Sequence, residues 1–204
     1  MKYYSQFEQD KFVYEKYFTD KSEGYFVDIG AHDGVTFSNS KFFEELGWDG
    51  VCIEPNPKVF EILSNNRKCK CVKKAITNNK GTSQFFQIID GPDMLSGLVD
   101  EFTDNAIVRI HHELESFSEG FDYIDVECDL FENIVQNNKI DFLSLDTEGN
   151  ELKILQTINF NKFDIDVITV ENNDYDNKFF NYITPKGYQF VTRLGCDEVY
   201  KKIN

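Results

Sequence analysis

The sequence predicts an α/β domain with an open, mostly parallel seven-stranded sheet, flanking helices and a C-terminal antiparallel hairpin. Three observations carry this expectation. Short apolar runs of strand length alternate with segments of helical period, which is the pattern of strand–helix crossover units. Four of those runs stop at glycine or an acidic residue, at Gly30, Glu54, Asp146 and Glu171. The chain then closes with two strand-like runs on either side of Gly195, which adds an antiparallel strand to the edge of the sheet.

Within residues 1–20, the apolar positions Phe7, Phe12, Val13, Tyr17 and Phe18 predict an amphipathic helix over 5–18. Tyr25–Ile29 reads as the first strand, followed by a helix over 37–46 that ends at Gly47, a residue suited to a left-handed C-terminal cap. Gly50–Glu54 is the second strand. Asn56-Pro57 then supplies an N-cap and a first-turn proline for a helix over 57–66. A third strand is expected over 71–76 and another over 82–89, beyond the Asn78–Gly81 turn. Residues 91–119 read as irregular with one short helix, and 91–120 as an insertion that forms the acceptor site. Strands at 121–128, 140–145 and 165–170 follow, with helices at 129–138, 150–157 and 175–184 and the closing strands at 188–193 and 198–200.

At 204 residues the chain has the size of one domain, 1–204, able to bury roughly 70% of its unfolded surface. Its formal charge of −15 repels phosphate backbones, so nucleic acid is not an expected partner. No run reaches the ~20 apolar residues of a membrane span, and the N-terminus lacks the apolar core of a signal peptide, so a cytoplasmic location is expected. Cys52, Cys69, Cys71, Cys128 and Cys196 are read as reduced thiols. The Cys69-x-Cys71 pair lacks the second ligand cluster of a zinc site.

Ligands of an open parallel sheet bind beyond the carboxyl ends of its strands, so the strand-terminating residues are the candidates. Val27-Asp28-Ile29-Gly30-Ala31-His32-Asp33-Gly34 runs from a strand into a small-residue loop where backbone amides can approach a ligand. His32 and Val35 replace the second and third glycines of the dinucleotide fingerprint, which disfavours NAD. His32 is better suited to hydrogen bonding than to proton transfer. Glu54, aimed by Pro55-Asn56-Pro57, suits the two hydroxyls of a ribose. Asp146 and Glu171-Asn172 end neighbouring strands, so their oxygens can converge. Three readings of Asp146 stay open: a magnesium or manganese ligand with Glu171 and Asn172, a metal-free general base, or a structural acceptor for loop amides. His111 and His112 lie in the irregular segment, where His112 could take a hydroxyl proton or simply be an exposed loop histidine.

Four blocks, taken together, resemble the FkbM family of methyltransferases. They are Tyr4–Asp10, Phe26–Gly34, Gly47–Pro57, and Asp141–Leu152 with Val167–Glu171. The resemblance spans about 4–172 and implies a Rossmann-like class I methyltransferase fold, S-adenosyl-L-methionine as cofactor and methylation of oxygen, usually a sugar hydroxyl of a glycan. Under it, Asp28, Gly30, Ala31, His32, Glu54, Pro55, Ala75 and Asp146 are expected to hold the cofactor, and Asp146 and His112 to serve catalysis. Domains of this kind accompany glycosyltransferases, which makes glycosyltransferases of the same pathway expected partners. Two other classes compete. A catalytically silent cofactor- or glycan-binding module would bind without turnover, and an NAD-binding oxidoreductase would bind the dinucleotide in a nucleotide screen.

Overall fold

In a computed structural model, residues 1–102, 104–114 and 120–203 are described; of Asn105, Ala106 and Glu113 only the backbone is. Thr103 and residues 115–119, which belong to the expected acceptor segment, lie outside the described residues. In chain order the elements are α1 (Gln9–Val13), β1 (Tyr25–Ile29), α2 (Lys41–Glu45), β2 (Asp49–Ile53), α3 (Pro57–Asn66), β3 (Lys70–Val72), β4 (Ala75–Ile76), β5 (Gly81–Ile88), β6 (Gly97–Leu98) and α4 (Asp104–Leu114). There follow β7 (Phe121–Asp129), α5 (Phe131–Ile134), β8 (Lys139–Leu145), α6 (Glu151–Thr157), β9 (Asp164–Glu171), α7 (Lys178–Ile183), β10 (Tyr188–Leu194) and β11 (Asp197–Lys202). No helix among the described residues is long and apolar enough to cross a membrane.

The main sheet has seven strands in the order β10-β11-β9-β8-β1-β2-β3, parallel except for β11, which runs antiparallel to both β9 and β10. The chain steps outward from β1 to β3 and later returns to the other side of β1 through β8 and β9. The crevice between β1 and β8 is thus the topological switch point, where a ligand site is expected. Side chains alternate between faces along each strand, which gives two apolar layers. Val27, Ile29, Val51, Ile53, Leu143 and Leu145 pack on one face. Phe26, Cys52, Phe142 and Val167 pack on the other with Phe43 and Trp48.

The helix expected over 57–66 forms as α3, and several other local expectations shift. α3 begins at Pro57, with the Asn56 side chain accepting from the Lys58 amide at 3.1 Å. α2 starts four residues later than the expected 37, because Phe37 has a left-handed φ of 54° and the Ser40 hydroxyl, where the helix begins, donates to the buried Asp28. The expected N-terminal helix begins at Gln9 and continues from Tyr14 to Phe18 as a wider π turn. The helix expected over 129–138 is limited to α5, since Val135 is already extended.

The strand expected over 71–76 is broken at Lys73-Lys74. β3 completes the main sheet, while β4 joins a separate four-stranded sheet in the order β4-β7-β5-β6. β5 pairs antiparallel with β7 along its whole length, from Gly81 opposite Cys128 to Ile88 opposite Phe121. This second sheet was not foreseen, and it supplies one wall of the site described below.

One buried cation ties the α2 region to the main sheet. Arg67 is 5% exposed; its guanidinium donates to the Gly34 carbonyl at 3.2 Å and to Ser40 Oγ at 3.1 Å, and its Nε lies 3.2 Å from Glu44 Oε1. Against the upward pull of burial, the Cys69 amide and Lys41 hold the Glu44 carboxyl at about 2. Removing one partner of such a network leaves charge buried without compensation. Arg67→Ala is therefore expected to cost about 3–5 kcal/mol, a fall in Tm on the order of 10 °C by calorimetry; a variant that melts with the wild type would show the network to be dispensable.

Candidate functional site

The ends of β1, β2 and β8 are brought level by parallel register: Ile29 pairs with Ile53 on one side and with Leu145 on the other. The residues that follow these positions are Gly30, Glu54 and Asp146, so three of the strand-end candidates share one rim. Gly30 has φ 84°, and a Cβ built there would stand 1.6 Å from the Asp146 carbonyl oxygen. Only glycine permits that approach.

Two open cavities meet at this rim. The first, about 720 Å³, has apolar walls from Ile53, Val59, Ala75, Ile76, Phe85 and Leu98. Phe85 and Leu98 belong to the second sheet, so the cavity lies between the two sheets. Polar groups reach it from Gly30, His32, Glu54, Asp146 and Asn150, with Pro55 beside Glu54, and Lys74, Asp93 and Glu148 also line it. The second cavity, about 520 Å³, is lined by Asp28, Ala31, Asn39, Glu171 and Asp197, with Gln6 and Gln9 at the N-terminal side. Gly30, His32, Met94 and Asp146 belong to both.

Glu54 is 7% exposed. One carboxylate oxygen accepts from the His32 amide at 3.0 Å and the other from the Asn56 amide at 2.9 Å, which fixes its plane and leaves each oxygen able to accept again. Burial pushes its carboxyl up to about 6 against these two amides. His32 sits at φ 48°, with Nε2 3.2 Å from Asp93 Oδ1 and no hydrogen bond at Nδ1. Asn150 donates to the Ile76 carbonyl at 2.9 Å while its buried Oδ1 has no partner in the protein. Asp28, expected to touch the cofactor, is tucked under the glycine loop, where it accepts from Ser40 and reaches only the second cavity. Its carboxyl is raised by burial, with Arg67 and Ser40 pulling it back down.

At the far side of the rim, Asp146, Glu148 and Glu171 bring one carboxylate oxygen each within 4.8 Å of one another. Burial, then the charges of Glu171 and Glu148, push Asp146 well above the usual carboxylate range. Burial, then Glu148 and Glu151, do the same to Glu171. Burial lifts Glu148 to about 7 even though Arg109 of α4 is paired with it. Asp197, opposite Glu171 in the β9–β11 ladder, adds a fourth carboxylate, raised by burial.

Asn172 is fully buried; its side-chain amide donates to the Asp176 carbonyl at 2.9 Å and to Glu198 at 2.8 Å, and its Oδ1 has no partner in the protein, while the third carboxylate beside Asp146 and Glu171 is Glu148. His112 is exposed on α4 and belongs to the walls of neither cavity; His111 is exposed beside it. Glu148, Asn150 and Asp197 were not singled out from sequence. For Glu148 and Asn150 the available signal was the Glu-Gly-Asn turn one residue beyond Asp146; for Asp197 it was an acid at the turn of the closing hairpin.

A raised carboxyl pKa means that the folded state binds the proton more tightly than the unfolded state does. Stability is therefore present at lower pH and is lost as pH rises through the folded value. The apo protein is expected to melt higher at pH 5.5 than at 7.5, and Glu148→Gln to flatten that slope by differential scanning fluorimetry. An unaltered slope would show that Glu148 does not carry the proton.

The model of the Methyltransferase FkbM domain family matches residues 28–196. None of the curated proteins compared matches the chain. Among solved structures, a TehB-like SAM-dependent methyltransferase from Corynebacterium glutamicum aligns over 98% of this chain and 89% of its own, at 10% identity and a TM-score of 0.48.

Proposed function

From the premise that this chain belongs to the FkbM methyltransferase family, we propose that it transfers a methyl group from S-adenosyl-L-methionine to a hydroxyl of a sugar or glycan, with Asp146 taking the hydroxyl proton. The observation that carries this reading is that an apolar cavity bearing Glu54 and a polar, acidic cavity meet at Gly30, His32 and Asp146.

The first cavity fits the cofactor. Its apolar walls suit a flat heteroaromatic ring, and Glu54, with acceptor capacity left on both oxygens, suits the two hydroxyls of a ribose. The orphaned Asn150 Oδ1 offers a further acceptor. The cofactor supplies an electrophilic methyl on a sulfonium, and the formal charge of −15 on the chain favours a cationic ligand over an anionic one. The second cavity, with Gln6, Thr36 and Asn39 among its walls, offers hydrogen-bonding groups to a polyhydroxylated acceptor. Asp146, raised by burial and by its neighbours, holds a proton more tightly than an ordinary carboxylate. When ionised it is the stronger base, matched to removing a hydroxyl proton as the oxygen attacks. Alignment of acceptor and methyl across the shared rim supplies the remainder of the acceleration.

Glu54→Gln is expected to weaken S-adenosylhomocysteine binding about 10-fold or more in calorimetry, the scale of a lost charge-assisted hydrogen bond. Unchanged affinity would remove Glu54 from the ribose role. Asp146→Asn is expected to lower turnover at least about 100-fold while affinity for S-adenosylhomocysteine is largely kept. The assay follows tritiated methyl transfer to a panel of mono- and oligosaccharides, with alkali-stable label identifying an ether; near-normal turnover in the variant would sink the base assignment.

The mutual approach of Asp146, Glu148 and Glu171 favours a second reading, in which these three would hold Mg²⁺ or Mn²⁺. Such an ion would lower the pKa of an acceptor hydroxyl. On this reading, chelation abolishes methyl transfer and added Mn²⁺ restores it; transfer indifferent to chelation leaves Asp146 as the metal-free base.

A further inference from the structure

Three cysteines stand together at the β2–β3 edge of the main sheet, outside the walls of both cavities. Cys52 on β2 is paired in register with Cys71 on β3, and Cys69, two residues before Cys71, shares its face. All three belong to one apolar cluster: Cys52 is fully buried, and Cys69 and Cys71 are half-buried. The Sγ atoms of Cys69 and Cys52 are 3.6 Å apart, whereas the Cys71 thiol donates to the Cys69 carbonyl at 3.6 Å.

We propose that Cys69 is a site of reversible oxidation by a hydroperoxide and that Cys52 is the thiol that resolves it, closing a Cys52–Cys69 disulfide. The pair has the parts that such chemistry needs: a thiolate-stabilising surrounding, partial access from solvent and a second thiol within reach. The neighbouring thiols of Cys52 and Cys71, and then the charge of Arg67, hold the Cys69 thiol down at about 4. Burial pushes the Cys52 thiol well up, which favours its protonated form. The Cys69 amide, in turn, donates to Glu44 Oε1 at 2.9 Å, which anchors its backbone at the start of β3.

The step balances with hydrogen peroxide as oxidant. The Cys69 sulfur attacks one peroxide oxygen, the O–O bond breaks and hydroxide leaves, giving a sulfenic acid. The Cys52 sulfur then attacks the Cys69 sulfur; the S–O bond breaks, the S–S bond forms, and the departing hydroxide leaves as water with the Cys52 proton. Two electrons pass from two thiols to one peroxide. The sulfurs must close from 3.6 Å to a bond of about 2.05 Å, a movement that falls on β3, a three-residue strand at the sheet edge with one partner strand.

The test uses the intact protein. Limiting iodoacetamide at pH 6 is expected to alkylate Cys69 at least about ten-fold faster than Cys196, whose thiol burial raises. Hydrogen peroxide is then expected to yield a Cys52–Cys69 cross-linked peptide in non-reducing mass spectrometry, lost on addition of dithiothreitol and retained in Cys71→Ser. In Cys52→Ala, Cys69 should pass to sulfinic acid instead. Equal alkylation of Cys69 and Cys196, a Cys69–Cys71 link or no link would each overturn the proposal. The alkylation and peroxide arms on the wild type decide it even if Cys52→Ala fails to fold.

Discussion

The backbones of β1 and β8 touch at their carboxyl ends. The Asp146 amide donates to the Ile29 carbonyl at 3.0 Å, and Gly30 turns so close to Asp146 that no side chain can stand between them. That contact holds Asp146 at the same rim as Glu54. With β9 beside β8 and β11 beside β9, the same rim also receives Glu171 and Asp197. An enzyme that must align two reactants gains from groups fixed by strand register, because side chains at strand ends inherit the rigidity of the sheet.

The molecule treats its buried acids in two ways. Near α2, Glu44 is matched by Arg67, Lys41 and backbone amides and stays charged. At the rim, Asp146 and Glu171 are crowded with other carboxylates, and Glu148 alone among them has a cation, Arg109. The first arrangement favours the folded state, whereas the second works against it at neutral pH, a pattern expected where ionisable groups are placed for chemistry or ligand binding.

Much of the frame was legible because β1, β2, β8 and β9 are buried on both faces and read as apolar runs, and because Asn56-Pro57 announces its helix locally. Glu54, Asp146 and Glu171 were legible in position because each ends such a run. What escaped was decided by distant contacts. The late start of α2 depends on Asp28, twelve residues before Ser40, drawing in its hydroxyl. The division of the expected 71–76 strand depends on β4 pairing with Cys128 and Asp129 in β7. The side-chain amide of Asn172 turns toward Glu198 across the β9–β11 pair, and no local feature of the sequence records that choice.

The second sheet has a mechanical meaning beyond closing a wall. The segment from Asp93 to Leu114 is fastened to it through β6, which pairs with β5, while the carboxylate rim is fastened to the main sheet. The segment and the rim therefore hang from separate frames, bridged by the pairing of Arg109 with Glu148, of Glu101 with Lys153 and of Asp93 with His32. A change of length or composition on that segment, away from these bridges, alters a cavity wall without passing through the strands that hold the rim, so wall and rim are free to vary at different rates.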